Sequence, residues 1–156
     1  MTTVCLAGTL LFRYTVMIIP TFLNSLIFLS LALLHIYWAA GGKWGREAAV
    51  PESKNGKKIF QPGILSTLLV AAGLLFFAII TAANAGTFED MVDIKFARSG
   101  TWAIGIIFLL RSVGDFKFFG FAKRIKHTKF AWYDTRVFSP LALAIAIISF
   151  LIAIWN

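Results

Sequence analysis

Four stretches of this chain are almost wholly apolar, and short polar segments separate them. Each is close to the roughly 20 residues that a helix needs to cross the hydrocarbon core of a bilayer. The first is Val16 to Ala40, "VMIIPTFLNSLIFLSLALLHIYWAA", and the second is Gly63 to Gly86, "GILSTLLVAAGLLFFAIITAANAG". The third, Gly100 to Phe121, carries Arg111 and Asp115 one helical turn apart inside "FLLRSVGDFKFF", with Lys117 toward its end. The fourth is Val137 to Trp155, "VFSPLALAIAIISFLIAIW". None alternates as a transmembrane strand would, and a helix satisfies its own backbone in lipid. The pattern predicts an all-α integral membrane bundle of four transmembrane helices, with residues 17–156 as one domain. Ahead of it, "MTTVCLAGTLLF" is apolar but too short to span, and Arg13 and Tyr14 set it off. It lacks a positive charge before its apolar part, unlike a signal peptide. Residues 1–16 are either an extension ahead of a start at Met17 or an interfacial lead-in to the first helix.

Composition supports the membrane reading. Of 156 residues, 59% are hydrophobic and 14% charged. A soluble domain has roughly a quarter charged and just under half apolar. Mean hydropathy is +0.82. The net charge of +8 would suggest nucleic acid in a soluble protein, but here the charges sit in loops between apolar runs. Anionic lipid head groups are the better counterpart, and no nucleic-acid partner is expected. The single cysteine, Cys5, excludes an intrachain disulfide.

Basic residues set orientation. Eleven fall in the segments after the first and third runs: Lys43, Arg46, Lys54, Lys57 and Lys58, then Lys117, Lys123, Arg124, Lys126, Lys129 and Arg136. Arg13, Lys95 and Arg98 fall on the opposite side. The expectation is a multi-pass protein of the bacterial cytoplasmic membrane, with those two loops inside and both termini outside.

Three blocks, "LHIYWAAGGKWG" at 34–45, "FLLRSVGDFKFFGFAKR" at 108–124 and "TKFAWYDTRVFSPL" at 128–141, resemble the signatures of a small bacterial membrane family known as domain of unknown function 3995. The resemblance runs from about residue 17 to the C-terminus. It implies a four-helix bacterial integral membrane protein and supplies no reaction. The residues before Met17 depart from the pattern, which favours the later start.

The polar residues of these blocks converge on one half of the bundle. His35 and Trp38, spaced i, i+3, share a helix face near the inner end of the first helix. Arg111, eleven residues into the third run, would lie roughly 16 Å deep, near the midplane, with Asp115 one turn nearer the cytoplasm. An Arg there costs about 2.5–3.5 kcal/mol on insertion scales unless it faces the bundle interior or water, so pairing with Asp115 is expected. That pair either locks the bundle or forms a buried site for an anion, a lipid head group or a proton. His35 either donates to a neighbouring helix or titrates. With no second His or Cys beside it, it does not suggest zinc, and no cofactor motif is present. Asp134 and Arg136 form a surface pair or line the cavity mouth. Ser139-Pro140 reads as the N-cap and first turn of the fourth helix. Gly41, Gly42 and Gly45 end the first helix. Lys123, Arg124, Lys126 and Lys129, interleaved with aromatics, suggest an interfacial segment that contacts anionic lipid.

The ligand-binding set is therefore His35, Trp38, Arg111, Asp115, Asp134 and Arg136, with no catalytic or metal residue assigned. The first functional reading is a protein that binds or carries a small anionic or lipid-like ligand. Four helices are few for a transporter, so carriage would call for a homo-oligomer. The second is a partner subunit whose buried ion pair is purely structural. The third is a membrane-embedded enzyme acting on a lipid through His35 and Asp115, which the absence of a nucleophile motif disfavours.

Overall fold

The computed structural model describes residues 2–51, 58–59, 61–86, 88, 91–115, 118–125 and 127–156, and of residues 2–16 the backbone alone. Lys54, Lys57, Lys117 and Lys126, and the side chains of Cys5 and Arg13, lie outside the described residues. The described residues are all-helical: α1 (Thr2–Ala39), α2 (Arg46–Ala49), α3 (Ile64–Ala83), α4 (Ile94–Val113), α5 (Lys129–Tyr133) and α6 (Ser139–Trp155), with a π-helical turn, Asp134–Phe138, joining the last two. Among the described residues, three segments are long and apolar enough to cross a membrane: Met17–Ala39, Ile64–Ala83 and Lys129–Trp155. α4 is as long as α3 but carries Lys95, Arg98 and Arg111.

α1 has 38 residues and would be about 57 Å long, nearly twice the hydrocarbon thickness. Its backbone continues through Arg13 and Tyr14 as helix. At its other end Gly41, at φ 96°, donates to the Trp38 carbonyl, and Gly42 donates to that of Tyr37. Gly41 and Gly42 therefore end α1 as expected, whereas Gly45 stands at the N-cap position of α2.

α1 packs most extensively on α3, and α4 on α6; the two pairs meet along α1–α6 and α3–α4. Phe28, Phe77 and Phe108 form the central aromatic contact, with ring centroids 5.4–6.2 Å apart, over Ala32, Leu74, Ile104 and Ile145. Polar residues pin the layers together. Asn24 donates to Ser149 at 3.0 Å, and at one end Asn156 donates to Asn84, which donates to Thr101. The opposite end, the loop end, is where α1 and α4 stop and α3 and α5 begin, and it also holds α2 and residues 118–125.

The third helix differs from its expected span. It starts at Ile94, capped by the Asp93 carboxylate on the Lys95 N–H, and stops at Val113. Gly114 (φ 94°) turns the chain back, and Phe121 and Ala122 donate to the carbonyls of Ser112 and Val113. The returning strand of chain thus satisfies carbonyls that a helix end leaves orphaned. Arg111 consequently lies in the last turn of α4, at the loop end, and not mid-helix.

The fourth apolar run also begins earlier than expected. The helical path starts at Lys129, where the Thr128 hydroxyl accepts from the Ala131 N–H, so Thr128 and not Ser139 is the N-cap. Pro140 has no N–H to give and crowds the carbonyl one turn back. The π-helical turn just before it carries the chain past that gap through a wide Ser139 N–H to Asp134 carbonyl bond.

Candidate functional site

Two adjoining arrangements occupy the loop end. The first is centred on Asp134, which is fully buried in the π-helical turn. Its Oδ1 accepts from Arg111 Nη2 at 2.8 Å. Its Oδ2 accepts from Lys123 Nζ at 2.9 Å, the Gly120 N–H at 2.8 Å and the Ser139 hydroxyl at 3.2 Å. Lys123 completes its donors on the Gly120 carbonyl at 3.1 Å and Thr135 Oγ1 at 2.6 Å. A buried carboxylate is tolerated when paired and hydrogen-bonded. Here one carboxylate fastens three segments: the end of α4, residues 120–123 and the start of α6.

The expected Arg111–Asp115 pair is replaced by Arg111–Asp134. α4 ends before Asp115, so the two are no longer one turn apart on a helix. Asp115 Oδ1 instead accepts from the Phe118 and Phe119 N–H groups, shaping the turn. Lys123, expected at a lipid surface, is buried against Asp134. Arg136 neither pairs with Asp134 nor lines the cavity; it is exposed, with its guanidinium 4.3 Å from the Trp132 ring centroid. Of the remaining expected lipid contacts, Arg124 and Lys129 are exposed, and Lys129 lies 3.8 Å from Glu47. At that exposure such a pair contributes little.

The second arrangement is a cavity of about 500 Å³ among the long helices. That volume falls within the roughly 300–1,000 Å³ of small-molecule sites. α1 lines it from Leu31 to Trp38, α3 from Val70 to Phe77, and the Phe138–Ile145 segment from the facing side. Each wall covers seven residue steps, a depth of roughly 10 Å. Its apolar lining includes Leu74, Phe108 and Phe130. Its polar groups, His35, Trp38 and Arg111, all come from the last turns of α1 and α4. The polar end of the cavity is therefore at the loop end.

These groups are held in place. His35 Nδ1 sits 2.7 Å from the Leu31 carbonyl, which directs the ring and leaves Nε2 as its other polar atom. The Trp38 ring meets it edge-on at 5.0 Å, and the Trp38 indole N–H donates to the Trp44 carbonyl. The Arg111 guanidinium lies 5.0 Å from the Phe119 ring centroid. Its Nη2 serves Asp134, while Nη1 is buried with no hydrogen-bond partner among the described residues. An unmet buried donor costs about 1–3 kcal/mol, more when charged. Gly73, midway along the α3 wall, has nothing within 4 Å of where a Cβ would stand.

A family described as protein of unknown function (DUF3995) matches residues 28–149. The chain belongs to that family. No curated protein and no solved structure matches it. The DUF3995 match spans His35, Trp38, Arg111, Asp115, Asp134 and Arg136, so both arrangements lie inside the family's own segment. His35, Trp38 and Arg111, expected to converge, line one end of the cavity, with Arg111 reaching it from the last turn of α4 and not from the expected depth. The buried role of Lys123 and the open position at Gly73 were not among the expectations. Lys123 could have been suspected from Gly120 three residues before it, since a glycine there marks a turn and not a helix.

Proposed function

We propose that this chain is a small multi-pass protein of a bacterial membrane that holds an anionic, lipid-like ligand in the cavity at the loop end. The observation that carries the reading is the division within that cavity: apolar walls about 10 Å deep, with His35, Trp38 and Arg111 confined to one end. An acyl chain suits the walls, and the polar part of an anionic amphiphile suits the cationic end. The Arg111 Nη1 donor gains a partner when a water or an oxygen of that polar part is present. The Asp134 cluster is structural in this reading, because its carboxylate is already met by four donors.

Gly73→Leu is the direct test. It fills open space in the cavity wall and replaces the residue costing a helix interior about 1 kcal/mol relative to alanine. Protein purified in mild detergent should carry one anionic amphiphile per chain by native mass spectrometry. The Gly73→Leu variant should lose it while melting at the same or a higher temperature. An adduct that survives in the variant, or a parent that carries only the bulk lipid mixture, would overturn the reading.

In the same reading α4 crosses the membrane beside the three more apolar segments, and the loop end faces the cytoplasm. The basic residues of the 40–63 and 114–136 segments are the support for that orientation. A reporter that works only outside the cytoplasm, fused after Asn156, should be active. Activity of a cytoplasm-only reporter at that position would reverse the orientation.

A further inference from the structure

His35 and Trp38 also border further space. A second space of about 230 Å³ shares His35, Trp38, Ala49 and Val70 with the cavity, and is otherwise lined by Arg46, Val50, Pro62, Ser66 and Thr67. A third, of about 250 Å³, shares Arg46, Val50 and Pro62 with the second and adds Lys43, Glu47, Lys58 and Gln61. The three adjoin in series. Their linings change from apolar, through the hydroxyls of Ser66 and Thr67, to a recess with three cations. Arg46 stands at the junction of the last two, steadied by a 3.1 Å bond from Nη2 to the Pro62 carbonyl.

We infer that the outer recess is the head-group site of the ligand, and that the head group is a phosphate monoester on an acyl or alkyl chain. The inference rests on the cavity reading above. Charge selects the head group. Lys43, Arg46 and Lys58 line it with Glu47, whose carboxylate also lies 3.8 Å from Lys129, so among the described residues the recess has a surplus of two positive charges. A carboxylate supplies one negative charge. A phosphate monoester supplies about −1.5 to −2 at neutral pH, with oxygens enough for all three cations. Arginine matches it through a planar fork, and lysine as a point charge. The order of the spaces fixes the pose: phosphate on Lys43, Arg46 and Lys58, linker beside Ser66, Thr67 and His35, chain between Gly73 and Phe108.

The test uses the full chain in nanodiscs of neutral phosphatidylcholine, with dodecyl phosphate as the probe. Dodecyl phosphocholine, dodecanoate and inorganic phosphate are the comparisons. Dodecyl phosphate should bind at least ten-fold more tightly than any of the three. The variant Lys43→Gln with Lys58→Gln should weaken it at least ten-fold and leave the melting temperature unchanged, since both side chains are exposed at the mouth. Equal binding of dodecyl phosphate and dodecanoate, or of dodecyl phosphate and inorganic phosphate, overturns the inference. So does an unchanged affinity in the double variant. Gly73→Leu separates the head-group site from the cavity. If it blocks dodecyl phosphate while the double variant does not, the head-group assignment fails and the cavity stands. If it leaves binding intact, the cavity reading itself fails.

Discussion

Replacing Asp134 with leucine will cost about 3–5 kcal/mol, the penalty for removing one partner of a buried charge pair. The reason lies in what stays behind. Lys123 has a side chain 1% exposed and would keep its ammonium with only the Gly120 carbonyl and Thr135 hydroxyl to meet it. The Gly120 N–H and Ser139 hydroxyl would lose an acceptor together. Arg111 would suffer less, because its side chain is 33% exposed and can turn toward solvent or a head group. Arg111→Leu should therefore be the milder single substitution and Lys123→Leu the harsher. Lys123→Leu combined with Asp134→Leu should recover part of the loss, since the deepest unpaired charge is then gone. Thermal unfolding in detergent of the two single variants and the double variant measures the coupling. Additive losses would mean that Lys123 and Asp134 do not act as a pair.

The second large effect is at the crossing of Gly114 and Gly120. Both have positive φ, 94° and 79°. A Cβ on Gly114 would run into the Phe119 carbonyl, and one on Gly120 into the Val113 carbonyl. A residue other than glycine in such a conformation costs about 1–3 kcal/mol before any overlap is counted. Here the overlap is with backbone, which has no rotamer to yield. Either alanine substitution should thus exceed that range and disturb the end of α4, where Phe121 and Ala122 cap the helix. Gly73→Ala, in open space on α3, is the matched control and should be neutral or stabilising. Hydrogen exchange at the C-terminal turn of α4 is the readout. Unchanged protection in Gly120→Ala would show that the turn does not hold the helix end.

Much of this architecture was legible in the sequence, for an identifiable reason. The runs of α1, α3 and α6 announce themselves because hydropathy over 20 residues is a property of the segment alone. The third helix was misplaced because "DFKFFGF" looks like more of the same apolar run, whereas Gly114 had already ended it. That error moved Arg111 to mid-bilayer and made Asp115 its nearest acid. The true partner, Asp134, is 23 residues away, and pairing across that distance depends on how the chain folds back. Lys123 was hidden in the same way: in sequence it is one of several basic residues in a loop, and only the Gly114–Gly120 crossing buries it. His35 and Trp38 were placed correctly because helical spacing fixes their common face without reference to any other segment.

The claim at the centre of this account is that a specific amphiphile occupies the cavity, and adjacent residues of α3 allow a direct measurement. Phe77 lines the cavity, whereas Phe76 is 53% exposed on the outside of the bundle. A photoreactive benzophenone side chain placed at each position in turn, irradiated in native membranes, will label what each residue touches. The account predicts that adducts at position 77 are dominated by one anionic, phosphate-bearing amphiphile, while those at 76 mirror the bulk lipid of the membrane. The same distribution of lipids at both positions would contradict it.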